Sequence, residues 1–380
     1  MSPGPPQRPE LITDAPGLVR VVEALLKEGC IALDTESDGF HRYPEKICLV
    51  QLASRDRVYI VDPLAIGDMM PLERLLADRR VEKVIHSAEN DLRIVDRHWG
   101  YRVFNLYDTS VGAHFLGMER LGLGAIAEEF LGVQLDKSKK LQRADWSLRP
   151  LSDTAIDYAA ADVAHLVALR DVLARRIEAL GRAEWVAAEF ERREEVRYIP
   201  PEQPELSFLS IKGSSALDGR GLALLQELAS FREGAALRQG RPPFRILPNA
   251  TLLAIAGDPT VDLSRVPGLG NNNLRRFGAG LKSAIRKGLA SPPVKRPPFR
   301  LSHQPRPSVA QVRLAKELRS WRIEEGKRLS LDPALIWPAA SLDRLARAPA
   351  TLDQELESPE VRRWQAREFR GSLRAYLSDK

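Results

Sequence analysis

The segment from Cys30 to Phe40 (CIALDTESDGF) limits most strongly what this chain can fold into. Its apolar run stops at Asp34-Thr-Glu36, a pattern typical of a buried strand. Side chains on a strand alternate between faces, so Asp34 and Glu36 are expected on the same face, roughly 7 Å apart along the chain. Two such carboxylates repel each other unless a cation lies between them, and hard metals such as Mg²⁺ bind carboxylate oxygens. For these two residues alone, a metal site and an exposed acidic pair without a function both remain open.

Length and composition indicate a globular protein of more than one domain. The chain has 380 residues, of which 44% are hydrophobic and 28% charged, and this length predicts two or three domains. No apolar run approaches the ~20 residues of a membrane span, and the polar, Pro-rich start is unlike a signal peptide. Cys30 and Cys48 are expected to be free thiols in a reducing compartment, not a disulfide or zinc site. We therefore expect a cytoplasmic protein.

Charge is distributed unequally along the chain. Residues 1–205 contain 27 Lys or Arg and 35 Asp or Glu, a balance of −8, whereas residues 206–380 contain 30 and 16, a balance of +14. An acidic half can hold metal ions, and a basic half suggests a polyanionic partner. Basic surfaces also aid solubility, but so sharp an asymmetry favours a nucleic acid as the partner.

The first half has the pattern of an α/β domain. Helical spacing over residues 17–29 precedes the strand that ends at Glu36, and two further strands, Ile47–Ser54 and Val58–Asp62, predict an antiparallel meander. Lys83–His86 reads as a strand followed by a helix, and a long helix is predicted from Asp153 to Leu180.

Two helices supply further acidic residues. Asp91 is predicted in the first turn of its helix, where the helix dipole stabilises a carboxylate by ~0.3–1 kcal/mol. Asp91 could instead point back at the strand ends, where Asp34 and Glu36 lie. Tyr158 and Asp162 share a helix face because they are four residues apart, which also fits a simple hydrogen bond between helix and sheet.

In this order, the motifs DTE at 34–36, HSAENDL at 86–92 and YAAADV at 158–163 resemble those of the DEDD family of 3′→5′ exonucleases. Tyr158, four residues before the last acid, matches the tyrosine-bearing branch of that family. The segment LQRADWSLRPL at 141–151 is similar to one exoribonuclease subfamily within the branch.

The resemblance implies an RNase H-like fold, in which helices flank a mixed sheet. It also implies two divalent metal ions, Mg²⁺ or Mn²⁺, with Asp34 bridging both. Glu36 and Asp162 would complete the first metal site and Asp91 the second, while Tyr158 would orient the attacking water. The implied activity is a 3′→5′ exoribonuclease that releases nucleoside 5′-monophosphates, with tRNA precursors as the expected substrate. A single-strand DNA exonuclease and a non-catalytic RNA-binding scaffold remain alternatives.

The second half predicts small all-α domains, because its pattern repeats at an offset of 90 residues. The matching positions are Leu228 and Leu318, Phe231 and Trp321, Ile246 and Ile336, and Pro248 and Pro338. The first copy is similar to the HRDC domain of such nucleases and of RecQ-type helicases. The second copy lacks the Pro242-Pro243 pair, which leaves its RNA binding open. The predicted division is an exonuclease domain at 1–200, a first HRDC domain at 207–290, a Pro-rich linker at 291–307 and a second, degenerate HRDC-like domain at 308–380.

Aromatic and basic residues near these motifs are candidate RNA contacts. Phe40 and His41 follow the first motif, and stacking on the terminal nucleotide is plausible for Phe40. Further phosphate-binding candidates are Lys137, Lys140, Arg143, Arg275, Arg276, Lys282 and Arg286. For the basic loop at 137–143 the alternative is a solvated charge run, and for the residues at 275–286 it is a solvated helix face. RNA is the expected partner, with no membrane and no obligate protein partner.

Overall fold

The protein is described by a computed structural model that covers residues 8–135, 139–296 and 306–378, without the side chains of residues 139 and 140. Within these ranges the strands form a single six-stranded sheet. The strands are β1 (Glu10–Ile12), β2 (Cys30–Ser37), β3 (Ile47–Ala53), β4 (Val58–Val61), β5 (Glu82–Ile85) and β6 (Leu106–Asp108).

The sheet is mixed, as the family resemblance implies. Its strand order is β1-β4-β3-β2-β5-β6. Strands β2, β3 and β4 form the predicted antiparallel meander, while β1 pairs parallel with β4, and β5 pairs parallel with both β2 and β6. The strand that carries Asp34 and Glu36 therefore lies inside the sheet, between β3 and β5.

Helices cover both faces of this sheet. They are α1 (Ala15–Leu25), α2 (Pro63–Ile66), α3 (Met70–Ala77), α4 (Glu89–Trp99), α5 (Thr109–His114), α6 (Leu123–Leu131), α7 (Lys139–Gln142), α8 (Asp153–Ala164), α9 (Leu166–Ala179) and α10 (Ala183–Glu194). Buried residues of α1, α3 and α4 share one hydrophobic core, and those of α8, α9 and α10 share the core on the other face. Adjacent strand residues point into opposite cores, since Leu33 belongs to the first and Ala32 to the second.

The prediction of a long helix from Asp153 to Leu180 is wrong. Helix α8 ends at Ala164 and α9 begins at Leu166, with His165 between them at φ −110° and ψ −4°. Both helices pack on β2, but α8 otherwise packs on β3 and β4, whereas α9 packs on β5, α5 and α6. No Pro or Gly marks the break, because it is caused by these two different packing surfaces.

Residues 219–290, here named the first module, form a helical unit with its own core. Its helices are α11 (Gly219–Gln239), α12 (Pro243–Ile246), α13 (Asn249–Gly257) and α14 (Gly270–Ala290). Their buried side chains, together with Phe208 and Ile211, make a cluster separate from the two cores of the sheet.

Residues 309–378, the second module, begin with helices at the same spacing. The helices are α15 (Val309–Leu329), α16 (Pro333–Ile336), α17 (Ala339–Arg347), α18 (Leu352–Leu356) and α19 (Arg363–Ser378). The first three start and end 90 residues after α11, α12 and α13. Short 3-10 helices lie at Pro204–Ser210, Ser214–Ala216, Leu263–Arg265 and Pro349–Thr351. In the described ranges, no helix has the length and apolar character needed to cross a bilayer.

Candidate active site

Three carboxylates converge where β2 meets α8. Asp34 and Glu36 occupy alternate positions of β2 on the face that packs against α8, and Asp162 lies in the last turns of that helix. Ligand oxygens of all three lie within 4.8 Å of one another. The close approach is possible because the helix presents alanines to the sheet, with Ala159 fully buried. We call Asp34, Glu36 and Asp162 the carboxylate cluster.

Burial and mutual repulsion disfavour the charged forms of the cluster. Burial, followed by the charges of Asp91 and Glu36, raises the pKa of Asp34 well above its usual range. Burial and the charges of Asp162 and Asp91 raise the pKa of Glu36 to about 9. Burial alone raises the pKa of Asp162 to about 6. In the described residues, no Lys or Arg forms an ion pair with any of these carboxylates.

Asp91 approaches the site from the opposite face of the sheet. It lies in the first turn of α4, is 7% exposed, and accepts a 2.6 Å hydrogen bond from the hydroxyl of Thr35. Burial raises its pKa to about 6, although the Thr35 hydrogen bond opposes the shift. Asp91 is not part of the carboxylate cluster, yet its charge contributes to the raised pKa values of Asp34 and Glu36. Thr35, whose role the sequence did not suggest, links the two faces.

Tyr158 lies one turn before Asp162 on α8 and is partly buried. Its ring centroid is 6.2 Å from that of Trp146, which is 1% exposed, at an interplanar angle of 33°. Arg149 holds this segment in place by a two-pronged ion pair to Asp62 at 2.6 and 2.8 Å, and it donates to the Trp146 carbonyl oxygen at 2.7 Å. The LQRADWSLRPL segment therefore packs a fixed tryptophan ring against Tyr158.

Gln51 is a further residue of the site that sequence reasoning missed. It pairs directly with Asp34 across β2 and β3, so both side chains lie on the same face. Its side chain is 0% exposed, and neither its amide nitrogen nor its amide oxygen has a hydrogen-bond partner among the described residues. Such an orphaned amide costs about 1–3 kcal/mol, which marks a place where a further polar group fits.

The donor set fits a hard divalent cation. The carboxylate oxygens lack basic partners and have raised pKa values, and a positive charge between them would stabilise their ionised forms. A water of its hydration shell would give the Gln51 amide a hydrogen-bond partner. A cation lowers the pKa values that repulsion and burial raise, because it favours the ionised carboxylates. The set holds no His or Cys, so it favours Mg²⁺ or Mn²⁺ over softer metals.

The predicted RNA-contact residues of the first half lie in two segments. Phe40 is 44% exposed, and its ring centroid is 5.7 Å from the Arg143 guanidinium carbon. The Nε2 of His41 donates to the carbonyl oxygen of Arg143 at 2.8 Å, which joins the two segments. Lys137 and the side chain of Lys140 lie outside the described part of the chain.

The predicted contacts of the second half share the exposed side of α14. The buried side of this helix consists of Phe277, Gly278, Leu281, Ala284 and Gly288. The exposed basic residues are Arg275, Arg276, Lys282 and Arg286. They form a basic face available to phosphates.

Comparison with known proteins identifies two regions of the chain. Residues 9–178 match a family model described as a 3′–5′ exonuclease, and residues 221–285 match the model of the HRDC domain. The nuclease match covers β1 to α9, and the HRDC match lies within the first module.

Named relatives cover most of the chain. Ribonuclease D of Gluconacetobacter diazotrophicus is 34% identical over 95% of this chain and 91% of its own length. Ribonuclease D of Zymomonas mobilis is 36% identical over 76% of this chain and 74% of its own length. The crystal structure of Escherichia coli RNase D, described as an exoribonuclease involved in structured RNA processing, has a TM-score of 0.68 at 25% identity and covers 98% of this chain and 99% of that one.

The ordered motifs, the converging carboxylates and the similarity along nearly the whole length lead to one conclusion. The chain belongs to the ribonuclease D family of 3′–5′ exoribonucleases.

Proposed function

We propose that this exoribonuclease works with two divalent cations, Mg²⁺ or Mn²⁺, and releases nucleoside 5′-monophosphates from RNA 3′ ends. The observation that carries the proposal is the carboxylate cluster, whose oxygens converge within 4.8 Å without a basic partner in the described residues. The charges of Glu36, Asp162 and Asp91 all raise the pKa of Asp34. Because Asp34 is close to all three carboxylates, we assign it to both cations. Asp91, held by Thr35, is assigned to the second.

The protein groups have separate tasks in this mechanism. Bound cations supply charge to stabilise the attacking and leaving oxygens and make a water molecule easier to deprotonate. Tyr158 orients that water from α8 because Trp146 and the Arg149–Asp62 pair fix the position of its ring. Gln51, paired with Asp34 across β2 and β3, would satisfy its amide by a hydrogen bond to Asp34 or to a water beside it once cations are held there.

The substrates we propose are RNAs with single-stranded 3′ tails, including tRNA precursors. Support comes from the family and from the E. coli relative's involvement in structured RNA processing. We also propose that residues 1–200 form the catalytic domain, 207–290 the first HRDC domain, 291–307 a linker and 308–380 a second HRDC-like domain. The 90-residue spacing of the helices supports the second assignment. Residues 297–305 of this linker lie outside the described ranges.

Asp34→Asn tests the site. We expect it to abolish nucleotide release while RNA binding stays within a few-fold, because the substitution removes a metal-binding charge and keeps the volume. We also expect weaker Mn²⁺ binding by calorimetry and an unfolding temperature in EDTA no lower than that of the parent, since one source of repulsion is gone. Asp157→Asn, at an exposed position of α8, the helix that carries Asp162, is the matched control. Full activity of Asp34→Asn in a clean preparation would contradict the assignment.

Substrate choice is tested with matched RNA and DNA tails. Parallel digestion of a 3′-tailed tRNA precursor and of single strands of the same sequence in RNA and DNA is expected to show faster release from RNA. Mapped product ends should approach the tRNA body one nucleotide at a time. Equal rates on DNA would favour the DNA exonuclease alternative, and no metal-dependent release would favour the scaffold.

A further inference from the structure

We propose that the first module completes a strand-binding subsite next to the active site, by adding Phe244 and Arg245 to Phe40 and Arg143. Single-stranded RNA upstream of the 3′ end binds there, with a base stacked on the aromatic rings and phosphates on the two guanidinium groups. The inference rests on the proposed function, since it names how that function holds its substrate.

Four side chains from two separate parts of the chain meet at this point. Phe244, on α12, has its ring centroid 5.7 Å from that of Phe40 at an interplanar angle of 43°. The guanidinium carbons of Arg245 and Arg143 lie 4.6 and 5.7 Å from the centroid of the Phe40 ring. The aromatic pair is thus flanked by one cation from each part.

These groups are available to a ligand. Phe40 and Phe244 are 44% and 50% exposed, which is high for two large aromatic rings in contact. Neither Arg143 nor Arg245 forms an ion pair with a carboxylate in the ranges that the structure describes. Nucleobases stack on aromatic rings regardless of sequence, and arginine binds phosphate through paired N–H groups. The combination fits a single strand better than a small apolar ligand.

The repeat within the chain shows that the helical motif does not require these residues. Residues 243–246 (PFRI) on α12 correspond at an offset of 90 to 333–336 (PALI) on α16. In both helices the isoleucine is buried, Ile246 at 1% and Ile336 at 0% exposure. Phe244 and Arg245 are replaced in the second copy by Ala334 and Leu335, so the aromatic and basic pair serves something other than local packing.

The subsite lies close to the carboxylate cluster, and hydrogen bonds hold its two parts together. Phe40 is four residues after Glu36, so their Cα atoms are at most about 14 Å apart, or roughly four stacked nucleotides of one strand. The backbone N–H of Tyr43 donates to the Gly240 carbonyl oxygen at 3.2 Å, and its hydroxyl donates to Glu233. The loop that carries Phe40 is thereby tied to the helix that precedes Phe244.

The test replaces the first-module residues by those of the second copy. Phe244→Ala and Arg245→Leu, alone and together, are compared with Leu289→Ala, an exposed apolar residue of the same module. The probes are a single-stranded RNA of about 12 nucleotides, a span that a single-strand site covers, and a trinucleotide, which has only two nucleotides upstream of the one released. Steady-state cleavage with Mg²⁺ gives kcat and KM for both, and binding in EDTA is measured as a function of salt.

For the double variant, we expect KM for the longer RNA to rise by at least about fivefold, the effect of one lost stacking contact. The fold-loss in kcat/KM should be larger for the longer RNA than for the trinucleotide. Arg245→Leu alone should lower the slope of log affinity against log salt by about 0.7, whereas Phe244→Ala should weaken binding with the slope unchanged.

Two results would overturn the subsite. One is parental KM for the longer RNA in the double variant. The other is an equal loss on both RNAs, which would mean that the substitutions act on the catalytic domain and not on a strand. If the parent protein itself released no nucleotide, the proposed function would fail first, and the salt dependence in EDTA would still test the subsite.

Discussion

The two helical modules differ in charge and in how they use their basic residues: residues 219–290 carry a net charge of +7 and residues 309–378 a net charge of +3, and the flanking segments make up the rest of the regions compared below. Residues 206–290 and 291–380 each have a balance of +7. In the first region, Arg265 alone forms an ion pair among the described residues, at 3.9 Å from Asp262. In the second, the arginines paired with carboxylates are Arg313, Arg319, Arg328, Arg344, Arg362, Arg367 and Arg374. Among the described residues, ion pairs therefore engage seven arginines of the second region and one of the first.

The modules also differ in how they join the nuclease. The buried residues of the second module belong to the same core as α8, α9 and α10, and Trp364 stacks on Trp185 with centroids 4.7 Å apart. Arg182 donates to the carbonyl oxygens of both Phe115 and Leu329 across this junction. The first module keeps a separate core and meets the nuclease at the loop that carries Phe40 and Tyr43. One module is therefore built into the catalytic body, and the other is attached at the loop that carries Phe40 and Tyr43.

The largest expected effect concerns these cores. Trp364→Ala should lower the stability of the catalytic body by about 3–5 kcal/mol, because it removes a buried ring that packs on the nuclease. Phe277→Ala should destabilise the first module by a similar amount and leave the unfolding transition of the nuclease in place. Scanning calorimetry of both variants distinguishes the transitions. A single transition shifted equally by both substitutions would contradict two separate cores.

A second experiment compares how unpaired basic residues of the first module and paired arginines of the second module contribute to RNA binding. Replacing Arg275, Arg276, Lys282 and Arg286 together by Gln should weaken RNA binding about 10- to 100-fold at low salt and reduce the salt slope by up to about 3. The matched variant replaces Arg313, Arg319, Arg328 and Arg367 of the second module by Gln. It should leave both quantities near the parental values, because those side chains are already paired. Binding is measured in EDTA, and equal losses in both variants would remove the distinction.

The smallest expected effect is a pH dependence confined to the catalytic body. A carboxylate whose pKa is raised on folding binds its proton more tightly in the folded state, so stability falls as pH rises. The fall should begin near pH 4, the usual pKa range, and continue past about 6 for Asp91 and Asp162 and to about 9 for Glu36. In EDTA we expect the unfolding temperature of the catalytic body to drop by several degrees from pH 5 to 9.

Mg²⁺ or Mn²⁺ should reverse most of that drop, since the cation competes with protons for the same oxygens. The transition of the first module provides the internal control and should not follow the metal. An unfolding temperature that rises with pH in EDTA would contradict the repulsion described for the carboxylate cluster.

Much of the site could be predicted because its information is local. Asp34 and Glu36 share a face by the alternation of a strand, and Tyr158 and Asp162 share one by the pitch of a helix. The 90-residue repeat correctly located corresponding helices, since each copy must bury the same apolar positions. Strand β1, with three residues, is too short for its pattern to be detected.

The rest depends on contacts between distant residues, which spacing does not encode. The break at His165 follows from two packing surfaces for α8 and α9. The approach of Asp91 from the other face, the orphaned amide of Gln51 and the meeting of Phe40 with Phe244 each join separate elements. For Gln51, a polar residue inside an otherwise apolar strand was the one available signal.

The tie between Tyr43 and the first module has a thermodynamic consequence. Tyr43 lies on the loop that follows β2, and its bonds to Gly240 and Glu233 are made only when the module is docked. Docking of the module and ordering of the loop are therefore linked equilibria. Docking stabilises the ordered loop by the same free energy by which the ordered loop stabilises docking. A substitution such as Glu233→Gln, remote from the carboxylates, should then change cleavage through the fraction of molecules in which the loop is ordered. Turnover is then expected to vary with the fraction of molecules in which the first module is docked.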